Sequence, residues 1–123
     1  EPMRYGQDEC TGCKMIVSDP RFGAEIVTRK GKVLKFDDLG CMNEFIKGGN
    51  IAESDVQQKF VCDFNRPNTF IPVETALFLR SDDLKSPMRS DCAAFATEEE
   101  LLTVKQKLGS CEVARWPAVA CTP

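Results

Sequence analysis

The chain has 123 residues, of which 42% are hydrophobic and 28% are charged, a composition typical of one globular domain or of two small halves sharing a core. Its net charge is −3, so it lacks the basic excess that nucleic-acid binding requires. The absence of histidine removes the commonest metal ligand and the usual general base at neutral pH. The sequence therefore argues against histidine-containing zinc or blue-copper sites and against hydrolases with a Ser-His or Cys-His pair.

Seven cysteines are present, a high number for a chain of this length. An odd number cannot pair completely within one chain, so an exported protein would keep at least one free thiol and a cytosolic one could keep all seven reduced. No apolar run approaches the ~18 residues of a transmembrane helix. The chain starts at Glu1 rather than Met, as a processed export product or a shortened chain would.

The first half of the chain predicts a hairpin, a helix and a further strand. Residues 24–28 alternate and are rich in β-branched side chains, and residues 33–36 return after a glycine-containing turn. The two aspartates at 37–38 precede apolar residues at three- and four-residue intervals, which predicts a helix that these acids cap and that stops at 48–49. Residues 59–64 then predict a strand.

The second half repeats this order. Residues 73–79 predict a strand, and residues 93–95 predict a shorter one. Thr97 opens a capping box, so we expect a helix from there to Gly109. Residues 111–116 predict the last strand.

The order strand, strand, helix, strand in both halves predicts an α+β fold built from two similar ββαβ units, a diverged internal duplication. We expect the first unit to span residues 1–68 and the second to span residues 69–123. Neither unit is long enough to bury a good core alone, so the two should pack together.

A cluster of sulfur-bearing residues opens the chain. Cys10, Cys13 and Met15 place two thiols and one thioether within six residues. Thiolate and thioether are soft ligands, and soft ligands select Cu(I). In an extended segment the i and i+2 side chains share a face, so we expect Cys13 and Met15 to present two sulfurs to one point, with Cys10 close by.

Met88 is a second candidate ligand because it lies in a polar Pro-Met-Arg loop, where core packing does not obviously require a methionine. A rigid Pro-Met turn would hold the thioether out from the scaffold. If the halves pack with these loops together, Met88 completes a trigonal site with Cys13 and Met15. Met42, in contrast, is in phase with the apolar face of the first helix and is expected in the core.

The Cys10–Cys13 pair has other interpretations, which include a structural disulfide and buried small hydrophobic residues. A thioredoxin-type redox pair usually begins a helix, for which Pro20 leaves no room. A four-cysteine zinc site would normally need a second Cys-x-x-Cys pair. The acidic pairs at 37–38 and 82–83 are interpreted as a cap and a turn, so no residue is assigned a catalytic role. Of the other cysteines, Cys121 is a candidate for a disulfide.

Residues 5–15, Tyr-Gly-Gln-Asp-Glu-Cys-x-x-Cys-x-Met, resemble the opening motif of the NosL family. Further segments resemble later parts of the family: residues 19–25, residues 31–38 with a Phe-Asp-Asp block, residues 86–88 and residues 93–95. The resemblance covers most of residues 5–108, and the Cys-x-x-Cys-x-Met run with the Phe-Asp-Asp block is fairly specific.

The resemblance implies two ββαβ units, similar to part of organomercurial lyase, and an exported lipoprotein that carries Cu(I) for assembly of the copper centres of nitrous oxide reductase. Its copper-binding positions would fall on Cys13, Met15 and Met88, with Cys10 as an auxiliary ligand or half of a disulfide. We then expect a periplasmic or cell-envelope location and a lipid anchor upstream of Glu1. The partner that receives the copper would be nitrous oxide reductase or its maturation machinery.

The resemblance implies a copper carrier that is not an enzyme. Three other functions stay open. A thiol–disulfide oxidoreductase using Cys10 and Cys13 would show disulfide exchange and a low thiol pKa. An organomercury-binding or lyase protein, suggested by fold analogy, would need a third thiol and an acid close to the pair. A disulfide-stapled interaction module would keep a Cys10–Cys13 crosslink when Cu(I) is offered.

Overall fold

Two antiparallel sheets and two helices make up the described part of the protein, residues 3–87 and 90–115 of a computed structural model. The fold class is α+β, as expected from the sequence. In chain order the elements are β1 (Ala24–Thr28), β2 (Val33–Phe36), α1 (Leu39–Lys47), β3 (Val56–Cys62), β4 (Phe70–Pro72), β5 (Leu77–Arg80), β6 (Cys92–Phe95), α2 (Glu98–Lys105) and β7 (Glu112–Arg115). A one-turn 3₁₀ helix at Glu53–Asp55 precedes β3.

The two sheets share one topology. The first has the strand order β2-β1-β3-β4 and the second has the order β6-β5-β7. In the first sheet β1 lies between β2 and β3, and α1 connects those two strands. In the second sheet β5 lies between β6 and β7, and α2 connects those two strands. The expected pair of ββαβ units is therefore confirmed. The boundary proposed between residues 68 and 69 stays a prediction; β4, which follows it, pairs with β3 of the first sheet.

Side-chain caps begin both helices where the sequence predicts them. Asp38 is the N-cap of α1 and accepts a hydrogen bond from the backbone N–H of Gly40 over 3.0 Å. Thr97 is the N-cap of α2 and accepts from the backbone N–H of Glu100 over 3.2 Å. Three glutamates in the first turn of α2 face the positive end of the helix, which further favours this start.

Two segments of the second half are shorter than the sequence predicts. The strand expected at 73–79 forms only from residue 77 onward. The carbonyl of Pro72 accepts hydrogen bonds from the backbone N–H groups of Thr75 and Ala76, which makes a turn before β5. Helix α2 ends at Lys105 rather than near Gly109. Tighter bonds between residues three apart replace the α-helical pattern after that point.

The largest core cluster draws on both units. Ile26 and Phe36 of the first sheet are fully buried and lie in one cluster with Phe78 of the second sheet. Met42 is also fully buried there, which confirms its predicted core position. Each fully buried aliphatic or aromatic side chain contributes about 1.5–3 kcal/mol, so the shared cluster holds the two units against each other.

A smaller cluster packs α2 onto the second sheet through Leu79, Phe95 and Leu101. The backbone N–H of Phe64 donates to the carbonyl of Ala94 over 2.8 Å, so a direct hydrogen bond also links the segment after β3 to the second sheet. Neither helix of the described residues has the length and apolar character needed to cross a membrane.

Candidate metal centre

The segment that carries Cys10, Cys13 and Met15 folds into a tight loop closed by a bridge between Glu9 and Ile16. Inside it the N–H of Cys10 donates to the carbonyl of Met15 over 2.8 Å. A turn covers residues 11–13, and the following residue has a left-handed backbone with φ of 69°. The expectation of an extended segment is therefore wrong, because the backbone reverses within it.

This loop packs against the start of α1. The N–H of Thr11 donates to the carbonyl of Lys35 in β2 over 2.7 Å, which ties the loop to the first sheet. A Cβ atom added at Gly12 would lie only 3.3 Å from the carbonyl oxygen of Cys41. Glycine is thus the residue that lets the loop approach the first turn of the helix so closely.

Four side chains meet where the loop and the helix touch. The sulfurs of Cys10, Cys13 and Cys41 and a carboxylate oxygen of Asp37 all lie within 4.8 Å of one another. The thiol of Cys13 donates to Asp37, with sulfur–oxygen distances of 3.5 Å to Oδ2 and 3.6 Å to Oδ1. We call these four residues the thiol cluster. Its three cysteines are free thiols, and all but the half-buried Cys13 are buried.

The thiols of the cluster differ in their tendency to ionise. The Cys41 thiol donates a hydrogen bond to the Cys10 sulfur and lowers the pKa of Cys10 to about 6, with help from backbone N–H groups and against the effect of burial. Burial raises the pKa of Cys13 to about 11, and the nearby Cys10 sulfur and Asp37 carboxylate act in the same direction. The hydrogen bond to Cys10, followed by burial, raises the pKa of Cys41 still further. Cys10 is therefore the thiol of the cluster that ionises most readily, and Cys13 and Cys41 hold their protons more strongly.

A loop of the second unit is fastened beside the cluster. Ser86 donates to Oδ2 of Asp38 over 2.5 Å, and the Ser90 hydroxyl donates to Oδ1 of the same carboxylate. Asp91 closes the loop, because its Oδ1 accepts from the N–H of Ser86 over 3.0 Å. The predicted ligand Met88 lies between these anchors in sequence but outside the described residues.

Ion pairs fix the other side of the sulfur-bearing loop. Oδ2 of Asp8 lies 2.9 Å from Nζ of Lys35, and Oδ1 lies 2.9 Å from Nη2 of Arg4. Hydrogen bonds from the backbone of Arg4 and from the Lys35 and Arg4 side chains lower the pKa of Asp8 to about 2. This carboxylate stays charged at neutral pH and anchors the start of the loop to β2.

The predicted ligands have different places in the structure. The sulfurs of Cys10 and Cys13 lie close together, whereas the Met15 side chain is 61% exposed to solvent. The assignment of Cys10, Cys13, Met15 and Met88 as metal ligands stays a prediction.

Sequence reasoning missed two members of the cluster. No sequence pattern assigns a role to Cys41. The pattern at 37–38 indicates a cap, but only Asp38 makes the N-cap hydrogen bond, and Asp37 faces the thiols. No helical spacing pairs Asp37 with Cys41, because Asp37 lies before the N-cap of α1.

The remaining cysteines lie elsewhere. Cys62 is a buried free thiol whose sulfur is 3.2 Å from the carbonyl of Pro20, and Cys111 is a half-buried free thiol. Cys92 is disulfide-bonded. The candidate disulfide cysteine Cys121 lies outside the described residues.

Comparison with known proteins agrees with the motifs. The NosL family model matches residues 4–116. Among solved structures, the fold is similar to the copper chaperone NosL from Shewanella denitrificans, with a TM-score of 0.76 and 19% sequence identity over 92% of this chain and 90% of that chain. No curated protein matches the chain. Because the family model covers most of its length, the chain belongs to the NosL family.

Proposed function

We propose that the chain is an exported carrier of Cu(I) that delivers copper for assembly of the copper sites of nitrous oxide reductase. The observation that carries the proposal is that the free thiols of Cys10 and Cys13 meet, with the Cys13 side chain half-buried. Membership of the NosL family and the fold shared with a protein named as a copper chaperone support it.

The donor chemistry favours Cu(I) over harder ions. Thiolates and thioethers are soft ligands, and the chain has no histidine to offer instead. We propose Cys13, Met15 and Met88 as ligands, with Cys10 as an additional thiolate. The bonds of Ser86 and Ser90 to Asp38 support the participation of Met88, because they tie both ends of its loop beside the cluster.

The burial pattern suits a carrier that must release its cargo. Cys10 is fully buried, whereas Cys13 is half-buried and Met15 is largely exposed. A partner could attack the bound ion from the exposed side and take it by ligand exchange. Thioether ligands assist release because they are neutral and weaker than thiolates.

We further propose that the protein is not an enzyme, that it is lipid-anchored in the periplasm or cell envelope through a segment upstream of Glu1, and that its partner is nitrous oxide reductase or its maturation machinery. The free thiols at Cys10 and Cys13 favour metal binding over a disulfide staple. Their position in a closed loop, not at a helix start, disfavours a thioredoxin-type redox pair.

Anaerobic titration with Cu(I) in the presence of a competing chelator tests this proposal. Cys13→Ser and Met88→Ala should each bind Cu(I) more weakly than the wild type. Cys62→Ser, which removes a buried free thiol away from the cluster, is the control and should bind as tightly as the wild type. Wild-type affinity in both ligand variants would contradict the proposed site.

One observation favours a second candidate, cleavage of organomercurials. That function needs a third thiol and an acid close to the cysteine pair, and Cys41 and Asp37 meet this requirement. Cysteine thiolates would bind mercury while the proton of the Cys13 thiol passes through Asp37 to the carbon. The carbon–mercury bond then breaks, the hydrocarbon leaves and Hg(II) stays bound to the sulfurs. Release of Hg(II) from an organomercurial by the wild type, abolished in Asp37→Asn, would support it, and no release would exclude it.

A further inference from the structure

A cavity lies at the tip of the β1–β2 hairpin, at the opposite end of β2 from the thiol cluster. Its volume is about 250 Å³, and we call it the hairpin pocket. The hairpin tip and the segment before β3 line it through Thr28, Arg29, Lys30, Lys32, Ile51 and Asp55. Three of these six residues are cations and one is an acid, in a protein whose net charge is −3. Positive charge is therefore concentrated at this pocket, against the overall charge of the chain.

We propose that the hairpin pocket binds a phosphate-bearing anion, with Arg29 as the principal ligand and with Lys30 and Lys32 as supporting charges. Phospholipid headgroups and small phosphate esters both belong to this class, because they share the tetrahedral phosphate oxyanion. The volume is slightly below the ~300–1,000 Å³ of typical small-molecule pockets, which limits the ligand to a compact group. The inference does not rest on the copper proposal, because the pocket contains none of the proposed copper ligands.

Two hydrogen bonds hold Arg29 against the segment before β3. Its backbone N–H donates to the carbonyl of Asp55 over 2.9 Å, and its Nε donates to the carbonyl of Ser54 over 2.7 Å. Its two Nη groups make no hydrogen bond or ion pair with another residue in the described part of the chain. The guanidinium is thus held in place while its terminal donors stay available. Such a guanidinium is suited to bind phosphate through two parallel hydrogen bonds.

A closed turn carries the two lysines of the pocket. The N–H of Thr28 donates to the carbonyl of Lys32 over 2.8 Å, and Oγ1 of Thr28 accepts from the N–H of Lys32 over 3.0 Å. Gly31 has φ of 87°, a left-handed conformation that glycine adopts without strain. The backbone that bears Lys30 and Lys32 is therefore fixed beside Arg29 before any ligand binds.

The charges of the pocket are not neutralised within the protein. Both lysines in the strands of the first sheet face an acid, Lys35 with Asp8 and Lys59 with Glu53. The three cations of the hairpin pocket, in contrast, form no ion pair with an acid among the described residues. Cations gathered in one cleft reinforce each other's field and attract an anion.

Two other lining residues define the ligand further. The half-buried Ile51 gives the pocket an apolar side, which suits the carbon atoms of an esterified phosphate. The exposed Asp55 carboxylate repels an anion, but the three cations outnumber it. Asp55→Asn should therefore strengthen phosphate binding, an effect opposite in sign to the loss of any of the cations.

Titration of the ¹⁵N-labelled protein with inorganic phosphate, followed by NMR, tests the inference. The amides of residues 29–32 and 51–55 should shift saturably with phosphate and not with sodium chloride of equal ionic strength. Arg29→Gln should bind phosphate at least tenfold more weakly, because it loses both the charge and the paired donors. Asp55→Asn should bind several times more tightly, since it removes the one acid of the pocket.

The matched control is Lys107→Gln, which removes an exposed positive charge of the second unit and should leave phosphate affinity unchanged. Equal shifts with phosphate and chloride, or equal weakening in Lys107→Gln and Arg29→Gln, would overturn the inference, because binding would then follow net charge alone. Arg29→Gln should keep the wild-type affinity for Cu(I), so a failure here and a failure of the copper proposal are separate results.

Two further probes distinguish the sources of the phosphate. Sedimentation with phosphatidylglycerol vesicles but not with phosphatidylcholine vesicles, lost in Arg29→Gln, would identify a lipid headgroup. Binding of glycerol 3-phosphate at least tenfold more tightly than inorganic phosphate, without retention on vesicles, would identify a free ester. Failure of both probes would overturn the inference and leave an adventitious ion only.

Discussion

The hydroxyl of Ser86 donates a 2.5 Å hydrogen bond to Oδ2 of Asp38, a residue 48 positions earlier in the chain. Asp38 is fully buried and is also the N-cap of α1. One carboxylate therefore starts the helix that carries Cys41 and fastens the Ser86 loop of the second unit. The start of the helix and the placement of this loop depend on the same side chain.

Asp38→Ala should lower the free energy of unfolding by about 3 kcal/mol. Loss of the N-cap costs about 1 kcal/mol, and leaving the buried hydroxyls of Ser86 and Ser90 without this acceptor adds about 1–3 kcal/mol. Urea unfolding followed by circular dichroism measures the change. Thr97→Ala, at the exposed N-cap of α2, is the control and should cost only about 1 kcal/mol. Equal losses of unfolding free energy in Asp38→Ala and Thr97→Ala would show that the hydrogen bonds from Ser86 and Ser90 to Asp38 contribute nothing to stability.

Gly12→Ala should disturb the thiol cluster. Its new Cβ atom would lie 3.3 Å from the backbone oxygen of Cys41. The backbone at the start of a helix cannot move far to relieve such a close contact. We expect a destabilisation of about 1 kcal/mol and weaker Cu(I) binding, because the loop that carries Cys10 and Cys13 must shift. Gly109→Ala is the control, because its Cβ atom would meet at 3.3 Å only the end of the flexible Asp83 side chain. If both variants bind Cu(I) like the wild type, the close approach at Gly12 does not matter to the cluster.

The metal-free, reduced protein should show one thiolate with a pKa near 6. The ultraviolet absorbance of thiolate should rise around that pH in the wild type and not in Cys10→Ser. In Cys41→Ala the pKa of Cys10 should move upward, because the hydrogen bond that contributes most to lowering it is lost. A pKa of Cys10 that is the same in Cys41→Ala and the wild type would contradict this assignment.

The same shift makes stability depend on pH. The pKa of Cys10 is lower in the folded state, about 6 against 9.0, so its stabilising contribution is complete above pH 9 and is lost as the pH falls to 6. The pKa of Cys13 is raised to about 11, so its contribution is present below pH 9 and is lost as the pH rises to 11. In urea unfolding, the difference in stability between the wild type and Cys10→Ser should therefore grow from pH 6 to pH 9. A difference that stays constant over this range would be inconsistent with a thiolate at Cys10.

Asp8→Asn should loosen the loop that carries the two cysteines. The substitution removes the negative charge paired with Lys35. In the wild type, the contribution of this carboxylate to stability is lost only as the pH falls from 3.8 to about 2, because its pKa is lowered in the folded state. Hydrogen exchange should become faster at the amides of Cys10 and Lys14, whose bonds close the loop. Asp19→Asn, which breaks a more exposed pair with a residue two positions away, should leave these amides unchanged. Equal exchange in the wild type and Asp8→Asn would mean that backbone bonds alone hold the loop.

Most strands and both helix starts follow from the sequence, because residues close together in the chain determine them. The alternation at 24–28 and 33–36 corresponds to β1 and β2, and the capping signals at Asp38 and Thr97 begin both helices. The late start of the predicted strand 73–79 depends on hydrogen bonds to the Pro72 carbonyl, which alternation of side chains does not reveal.

The thiol cluster was only half predictable for a different reason. Cys10 and Cys13 form a recognisable local pair, but Cys41 joins them only because the loop folds back onto α1. Turn residues around the left-handed Lys14 determine that reversal, which the spacing of the sulfur-bearing residues does not indicate. Asp37 was missed because either of two adjacent aspartates satisfies the capping pattern, and only tertiary contacts distinguish them.

X-ray absorption spectroscopy of the protein loaded anaerobically with one equivalent of Cu(I) tests the proposed copper site most directly. We predict a first shell made of sulfur alone, with one sulfur fewer in Cys13→Ser and in Met88→Ala. A first shell dominated by nitrogen or oxygen, or the same sulfur shell in the wild type and in both variants, would contradict the account.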